Sequence, residues 1–322
     1  MIFDEIYSKI KQASRIAVFT HIRADGDCLG AGIAMYYVCK NLGKDVNVVN
    51  ADYIHENFKF LTKDIVKEQL IGTYDLFISV DCSTTNMLGA LSSEYIKHKN
   101  TINLDHHISN SEYAKLNYVD DKASSACEVL YDFFEYINVT IDKNIAEALL
   151  CGISTDTGCF MHPNTTSKTH LIASKLMQFD LNIDEMYFNL FKSKTATEIS
   201  LTVKALEKIE FFHKGKLAIT GLDNKEIKEA KATEDDIPKV VDVLGGIRGV
   251  QIAVTYRQDV DNGYKISFRS RGDIDVNLLA QIFGGGGHKN ASGCKIYLPK
   301  NELIKLIEEK SRGFIKKWLM DF

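Results

Sequence analysis

Residues 15–27 read Arg15-Ile-Ala-Val-Phe-Thr-His21-Ile-Arg23-Ala-Asp25-Gly-Asp27, and Leu29–Leu42 follows with helical spacing. The run through His21 has the length and apolar character of a buried strand. An acidic turn and then a helix predict the opening of a β-α-β unit. Working outward, Asp45–Val49, Asp75–Val80 (DLFISV) and Thr101–Leu104 (TINL) read as further strands. Ser124–Phe134 and Ile141–Ile153 carry helical spacing. Strand and helix in alternation predict a parallel sheet with right-handed crossovers and both faces covered.

The rest of the chain changes character. Thr165 to Phe212 reads as helical throughout, with Ser193–Glu210 charged on one face and apolar on the other. Lys216–Thr220, Val250–Arg257, Tyr264–Arg269 and Lys295–Leu298 read as strands, with a hairpin signal at Asp261-Asn262-Gly263. Lys300–Leu319 reads as a terminal amphipathic helix. The expected fold is α/β: a parallel-sheet domain over 1–190, a connecting helix over 191–212 and a smaller α+β domain with a mixed sheet over 213–322.

Composition fits this picture. The 322 residues are 45% hydrophobic and 25% charged, which suits about two globular domains. Lys+Arg 39 against Asp+Glu 43 leaves −4, so net charge offers no grip on a long nucleic acid duplex. Seven cysteines with no CxxC pair argue against a disulfide framework or zinc knuckle. The start MIFDEIYSKIKQ lacks the pattern of a signal peptide, and no apolar run reaches membrane-spanning length. The expectation is a cytoplasmic protein with no membrane partner.

The chemistry-bearing residues cluster at the ends of apolar elements. His21, Asp25 and Asp27 close the first strand, Asp81 closes DLFISV, Asp105-His106-His107 closes TINL, and Asp156 closes LLCGIST. In open parallel sheets, ligands bind outside the carboxyl ends of strands. Each motif alone has an ordinary structural use, as turn, helix cap or surface pair. Together they predict one cleft. Carboxylates and imidazoles without thiolate suit Mn²⁺ or Mg²⁺. Four acids, Asp25, Asp27, Asp81 and Asp156, balance two divalent ions, and such a pair is the usual machinery of phosphoester hydrolysis. In the second half, Gly284–Gly287 before His288 predicts a loop whose amides approach an anion. Arg269 and Arg271 are spaced to share a strand face and add positive charge.

The order HxRxDGD, Asp81, Asp105-His106-His107 and STDTG, followed by SxRS and GGGGH, resembles the DHH phosphoesterase superfamily with its DHH-associated domain. The match runs from His21 to Gly293. Two-domain length is similar to the nanoRNase/pAp-phosphatase branch. The resemblance implies His21, Asp25 and Asp81 on one metal and Asp27, Asp81, His106 and Asp156 on the other, with Asp81 bridging. It implies that Asp105 orients His106 and that His107 faces the scissile phosphate. Arg269, Arg271, Gly285, Gly286, Gly287 and His288 would hold the far end of a substrate spanning an interdomain cleft, with Arg23 as a further phosphate contact. Ala31 departs from the serine of many relatives, with little effect expected at a non-ligand position. Cys28, Cys82 and Cys159 read as small buried fillers beside the motifs.

The implied activity is metal-dependent exonucleolytic hydrolysis of short oligoribonucleotides and dephosphorylation of adenosine 3′,5′-bisphosphate (pAp). Two Mn²⁺ ions, or Mg²⁺, would hold a bridging hydroxide. A soluble phosphodiesterase for linear or cyclic dinucleotides is the alternative enzyme. A nucleotide-binding regulatory module is the alternative outside catalysis. A homodimer is left open.

Overall fold

The computed structural model describes residues 2–259 and 261–315. The chain divides into two units after Ser193. In the first, six strands lie in the order β3-β2-β1-β4-β5-β6. They are β1 (Arg15–Phe19), β2 (Asp45–Val49), β3 (Val66–Lys67), β4 (Leu76–Val80), β5 (Thr101–Asp105) and β6 (Leu116–Val119). Every pairing is parallel. The order reverses between β1 and β4, the switch point where doubly wound sheets bind ligands. His21 and Asp81 follow the two strands that flank it.

Alternate residues of β1 serve different cores. Ile16 and Val18 join the larger cluster, while Ala17 and Phe19 join Phe77, Leu88 and Tyr95 on the other face. Burial on both faces explains why the strand reads as continuously apolar rather than alternating. The Gly26–Asn41 helix begins three residues earlier than its apolar spacing suggests, because Asp25 caps it by accepting the Cys28 N–H.

Close helix packing holds the site's floor. A side chain added at Gly30 would place Cβ 2.4 Å from the Ala148 carbonyl oxygen and 3.1 Å from the Gly152 nitrogen. Both neighbours are backbone of the Lys143–Asp156 helix and cannot swing aside. Gly30→Ala should therefore destabilise the first unit by about 3 kcal/mol. Denaturant unfolding checks this, and an unchanged midpoint would refute the contact.

The second unit holds β7 (Glu210–Phe212), β8 (Leu217–Leu222), β9 (Ile252–Gln258), β10 (Tyr264–Ser270), β11 (Gly286–His288) and β12 (Ala291–Ile296). Its sheet runs β11-β12-β10-β9-β8-β7, antiparallel except for the β8–β9 pair. The predicted hairpin joins β9 to β10, with Asn262 left-handed at φ 63°.

Several expectations change. Thr165–Phe212 is not one continuous helix: α-helices at Ser167–Leu176, Ile183–Tyr187 and Ala196–Leu206 are broken by a 3₁₀ turn at Met177–Phe179, a π turn at Phe188–Lys192 and short non-helical links, and Glu210–Phe212 is a strand. The Ala196–Leu206 helix buries Leu201 and Ala205 against Ala218, Val241 and Leu244, so it is part of the second unit's core. The last strand lies at Ala291–Ile296, before the expected Lys295–Leu298. The terminal helix is Lys300–Ser311, and 316–319 of its expected span lie outside the described residues. Among the described residues, no helix is long and apolar enough to cross a membrane.

Candidate metal centre

The carboxyl ends of β1, β4 and β5 bring the predicted donors of the first unit together. Asp81 stands at the centre and is 2% exposed. Its Oδ2 lies 3.5 Å from His21 Nε2, and its Oδ1 lies 3.4 Å from His106 Nε2. On one side, His21 Nε2 is 3.7 Å from Asp25 Oδ1. On the other, His106 Nε2 is 3.9 Å from Asp27 Oδ2 and 3.7 Å from Asp156 Oδ2.

Local contacts aim these groups. His21 Nδ1 meets the Ile22 carbonyl at 2.9 Å, and His106 Nδ1 meets that of Ala123 at 3.4 Å. A proton on Nδ1 then leaves each Nε2 lone pair turned into the cluster. Asp27 is buried in the first turn of its helix and reaches another helix: its Oδ2 accepts the Ala126 N–H at 2.6 Å and its Oδ1 that of Cys127 at 3.0 Å. It therefore sits on the positive N-terminus of the Ala126–Tyr136 helix. Arg23 and Asp81 both hold left-handed backbone at φ 55°. Non-glycine residues adopt it at a cost of about 1–3 kcal/mol, and such strain concentrates at functional sites.

The electrostatics are those of a crowded acid cluster. Burial disfavours the Asp81 charge, but His106 and His21 hold its carboxyl far below the usual range. Burial, then Asp81 and Asp156, push Asp27 well up, against the two amide donors that favour its charged form. Asp156 rises to about 7 through burial and the Asp81 and Asp25 charges, against the pull of His106. Burial opposes the His106 imidazolium, yet Asp81, Asp27 and Asp156 raise it to about 11. In the metal-free protein a proton on His106 thus stands in for a cation.

The donor set fits divalent ions. Asp81 Oδ1 is buried with no hydrogen-bond partner, an acceptor whose match is a cation. The surrounding donors are carboxylate oxygens and imidazole nitrogens. Cys28, read as a buried filler beside the motif, is buried but also touches the donors: its Sγ accepts the His21 backbone N–H at 3.0 Å and lies within 4.8 Å of donor atoms of His21 and Asp81.

The structure corrects Asp105. Its Oδ1 lies 2.7 Å from His107 Nδ1, and its Oδ2 accepts from Asn110 Nδ2 at 2.5 Å. Asp105 therefore orients His107, not His106, although both imidazoles approach Asp81 Oδ1, His106 through Nε2 at 3.4 Å and His107 through Nδ1 at 3.5 Å. Burial opposes the His107 charge, while Asp105 and Asp81 raise its pKa. Asn164 also escaped the reading: its Nδ2 donates to the Ser124 carbonyl at 2.8 Å and lies 3.3 Å from Asp156 Oδ2. No motif marks it, and its relation to Asp156 exists only in three dimensions.

The glycine-rich segment is not the expected open loop. Gly286, Gly287 and His288 form edge strand β11, paired antiparallel to Gly293, Ser292 and Ala291. A Cβ at Gly285 would lie 2.2 Å from the Gly293 carbonyl oxygen, so close approach of β12 demands glycine there. Arg269 Nε donates to Asp242 Oδ1 at 3.0 Å. Arg271 lies beyond the end of β10, so strand alternation does not place it on the face of Arg269. Arg23 is exposed, and its backbone N–H donates to Asp52 Oδ2 at 2.8 Å.

Two family models match in order: "DHH family, N-terminal domain" over residues 15–153 and "DHHA1 domain" over 214–316. The "Probable bifunctional oligoribonuclease and PAP phosphatase NrnA" of Streptococcus mutans is 31% identical, covering 94% of this chain and 96% of that protein. The bifunctional oligoribonuclease and PAP phosphatase NrnA of Bacillus subtilis is 26% identical, covering 91% and 93%. Among solved structures, an exopolyphosphatase-related protein from Bacteroides fragilis has TM-score 0.91 at 23% identity, covering 97% and 96% of the two chains. RecJ from Thermus thermophilus, solved with Mn²⁺, has TM-score 0.57 at 15% identity, covering 97% of this chain and 54% of that one. Sequence kinship over nearly the whole length, on a sheet that gathers the acid and histidine motifs at its switch point, makes this chain a member of the DHH family with a DHHA1 domain.

Proposed function

We propose that this protein hydrolyses phosphate esters with two bound divalent ions, Mn²⁺ or Mg²⁺, degrading short oligoribonucleotides from an end and dephosphorylating pAp. One observation carries the reading. Asp81 is buried between two donor sets, and its Oδ1 lacks a hydrogen-bond partner. His21, Asp25 and Asp81 would hold one ion, and Asp27, Asp81, His106 and Asp156 the other. Bound ions supply Lewis acidity and water of lowered pKa. The names of the NrnA relatives support the two substrates.

The chain's own groups do the rest. Asp105 holds His107 by Nδ1 and sustains its charged form, so the imidazole is suited to protonate the leaving oxygen. Arg23 in the first unit, and Arg269, Arg271, the 285–287 glycines and His288 in the second, are proposed substrate contacts. Arg269→Gln should raise KM about 10-fold with kcat held, as loss of an arginine–phosphate contact would. An unchanged KM removes Arg269 from the substrate site.

Hydrolysis of pAp and of RNA from dinucleotide to decamer, with Mn²⁺ and with chelator, tests the proposal. Metal-dependent release of mononucleotide from the shortest RNAs, with cleavage of pAp, is expected. Turnover confined to linear or cyclic dinucleotides would replace this substrate assignment.

Ion binding should release protons. In the metal-free protein His106 keeps its proton up to about pH 11 and Asp156 up to about 7. Both protons must leave as ions enter, so affinity should rise with pH and fall steeply below neutral. Calorimetry in buffers of different ionisation enthalpy should show more than one proton released at pH 7, a full one from His106 and about half of one from Asp156. A count of zero would mean that the ions bind elsewhere.

A further inference from the structure

The loop after β2 carries an aromatic pair that the hydrolytic chemistry leaves unused. Tyr53 is 47% exposed, and its ring meets that of His55 edge-on, with centroids 5.5 Å apart and planes at 77°. The exposed part of the Tyr53 ring offers a flat base a surface to lie on.

Asp52 fixes where this pair stands. Its Oδ1 accepts the Tyr53 backbone N–H and its Oδ2 accepts the Arg23 backbone N–H, each at 2.8 Å. One carboxylate therefore clamps the amide of the aromatic loop beside that of the His21–Asp25 loop. Asn50 extends the tie. Its Oδ1 accepts the Asp52 N–H, and its Nδ2 donates to Thr20 Oγ1 and to the His21 carbonyl, all at 2.8 Å. Asn50 is buried, so the link is internal framework rather than surface decoration. The left-handed backbone of Arg23 is held by this clamp.

We propose that Tyr53, with His55 at its edge, is a stacking platform for the nucleobase of a nucleotide whose phosphate is gripped by Arg23 beside the metal centre. Building on the hydrolase assignment, it narrows the substrate to base-bearing phosphates. A polyphosphate or pyrophosphate has no group to lay on an aromatic ring. The platform accepts any base, because every base has a π-face.

The test is equilibrium binding of AMP and of ribose 5-phosphate to the full chain with Mn²⁺, for the wild type, Tyr53→Ala and Tyr53→Phe. Tyr53 is half exposed, so neither change removes core packing. The wild type should prefer AMP. Tyr53→Ala should lose about 10-fold in AMP affinity, the size of one base–aromatic stack, while ribose 5-phosphate holds within about twofold. Tyr53→Phe should retain AMP. The proposal is overturned if Tyr53→Ala binds AMP as the wild type does, if both ligands weaken together, or if the wild type binds the two equally. Turnover of pAp and short RNA by the wild type tests the hydrolase assignment separately, so either can fail alone.

Discussion

Asp81→Asn should abolish turnover of every substrate and lower metal content from two ions to fewer than one, with the fold retained. The substitution keeps the shape of the side chain and removes one charge. That charge is the shared element: the carboxylate lies 3.5 Å from His21 Nε2 through one oxygen and 3.4 Å from His106 Nε2 through the other. An amide offers one acceptor oxygen, and its NH₂ repels a cation, so the two donor sets cannot both be completed. Loss of metal-based charge stabilisation is worth several kcal/mol, about 10³-fold or more in kcat/KM. Metal analysis after equilibrium dialysis separates this from a fault in folding. Two ions still bound at wild-type affinity would show that Asp81 does not bridge.

His107→Ala should lower kcat about 10²- to 10⁴-fold, the range of a lost general acid, while metal content stays at the wild-type value. The dissociation follows from geometry. The His107 imidazole is tethered by Nδ1 to Asp105 at 2.7 Å, closer than its 3.5 Å to Asp81 Oδ1, whereas Nε2 of His106 is turned to Asp81, Asp27 and Asp156 together. The leaving group supplies the diagnostic. A p-nitrophenyl ester departs without a proton, so the variant should be nearly as active on it as the wild type. An alkoxide-leaving ester should show the full defect. Equal losses on both would mean that His107 binds or positions rather than protonates. Asp105→Asn should give a milder defect in the same direction, about 10- to 100-fold, because it loosens the imidazole without removing it.

Much of this architecture was legible in the residues alone. Strands buried on both faces read as apolar runs, and acids at their ends read as a site, because parallel sheets bind ligands there. What stayed hidden depends on long-range contact or on backbone direction. Asp27 reads as a turn residue, yet it caps a helix that starts at Ala126. Asp105 precedes both histidines, and only the path of the chain after β5 decides which one it meets. The 284–287 glycines read as a phosphate cradle, but the tight approach of β12 requires the same residue type. Around Glu210–Phe212 the helical pattern gave way because pairing with β8 satisfies that backbone instead.

The double use of Asp27 bears on how the protein is made. The acid and the amide it caps are 99 residues apart in sequence. During synthesis, the β1 end emerges with its histidine and acids long before the Ala126–Tyr136 helix leaves the ribosome. Until that helix docks, Asp27 lacks the Ala126 and Cys127 amides that hold it. The half of the pocket that uses Asp27 is thus completed only when a wall made 99 residues later arrives.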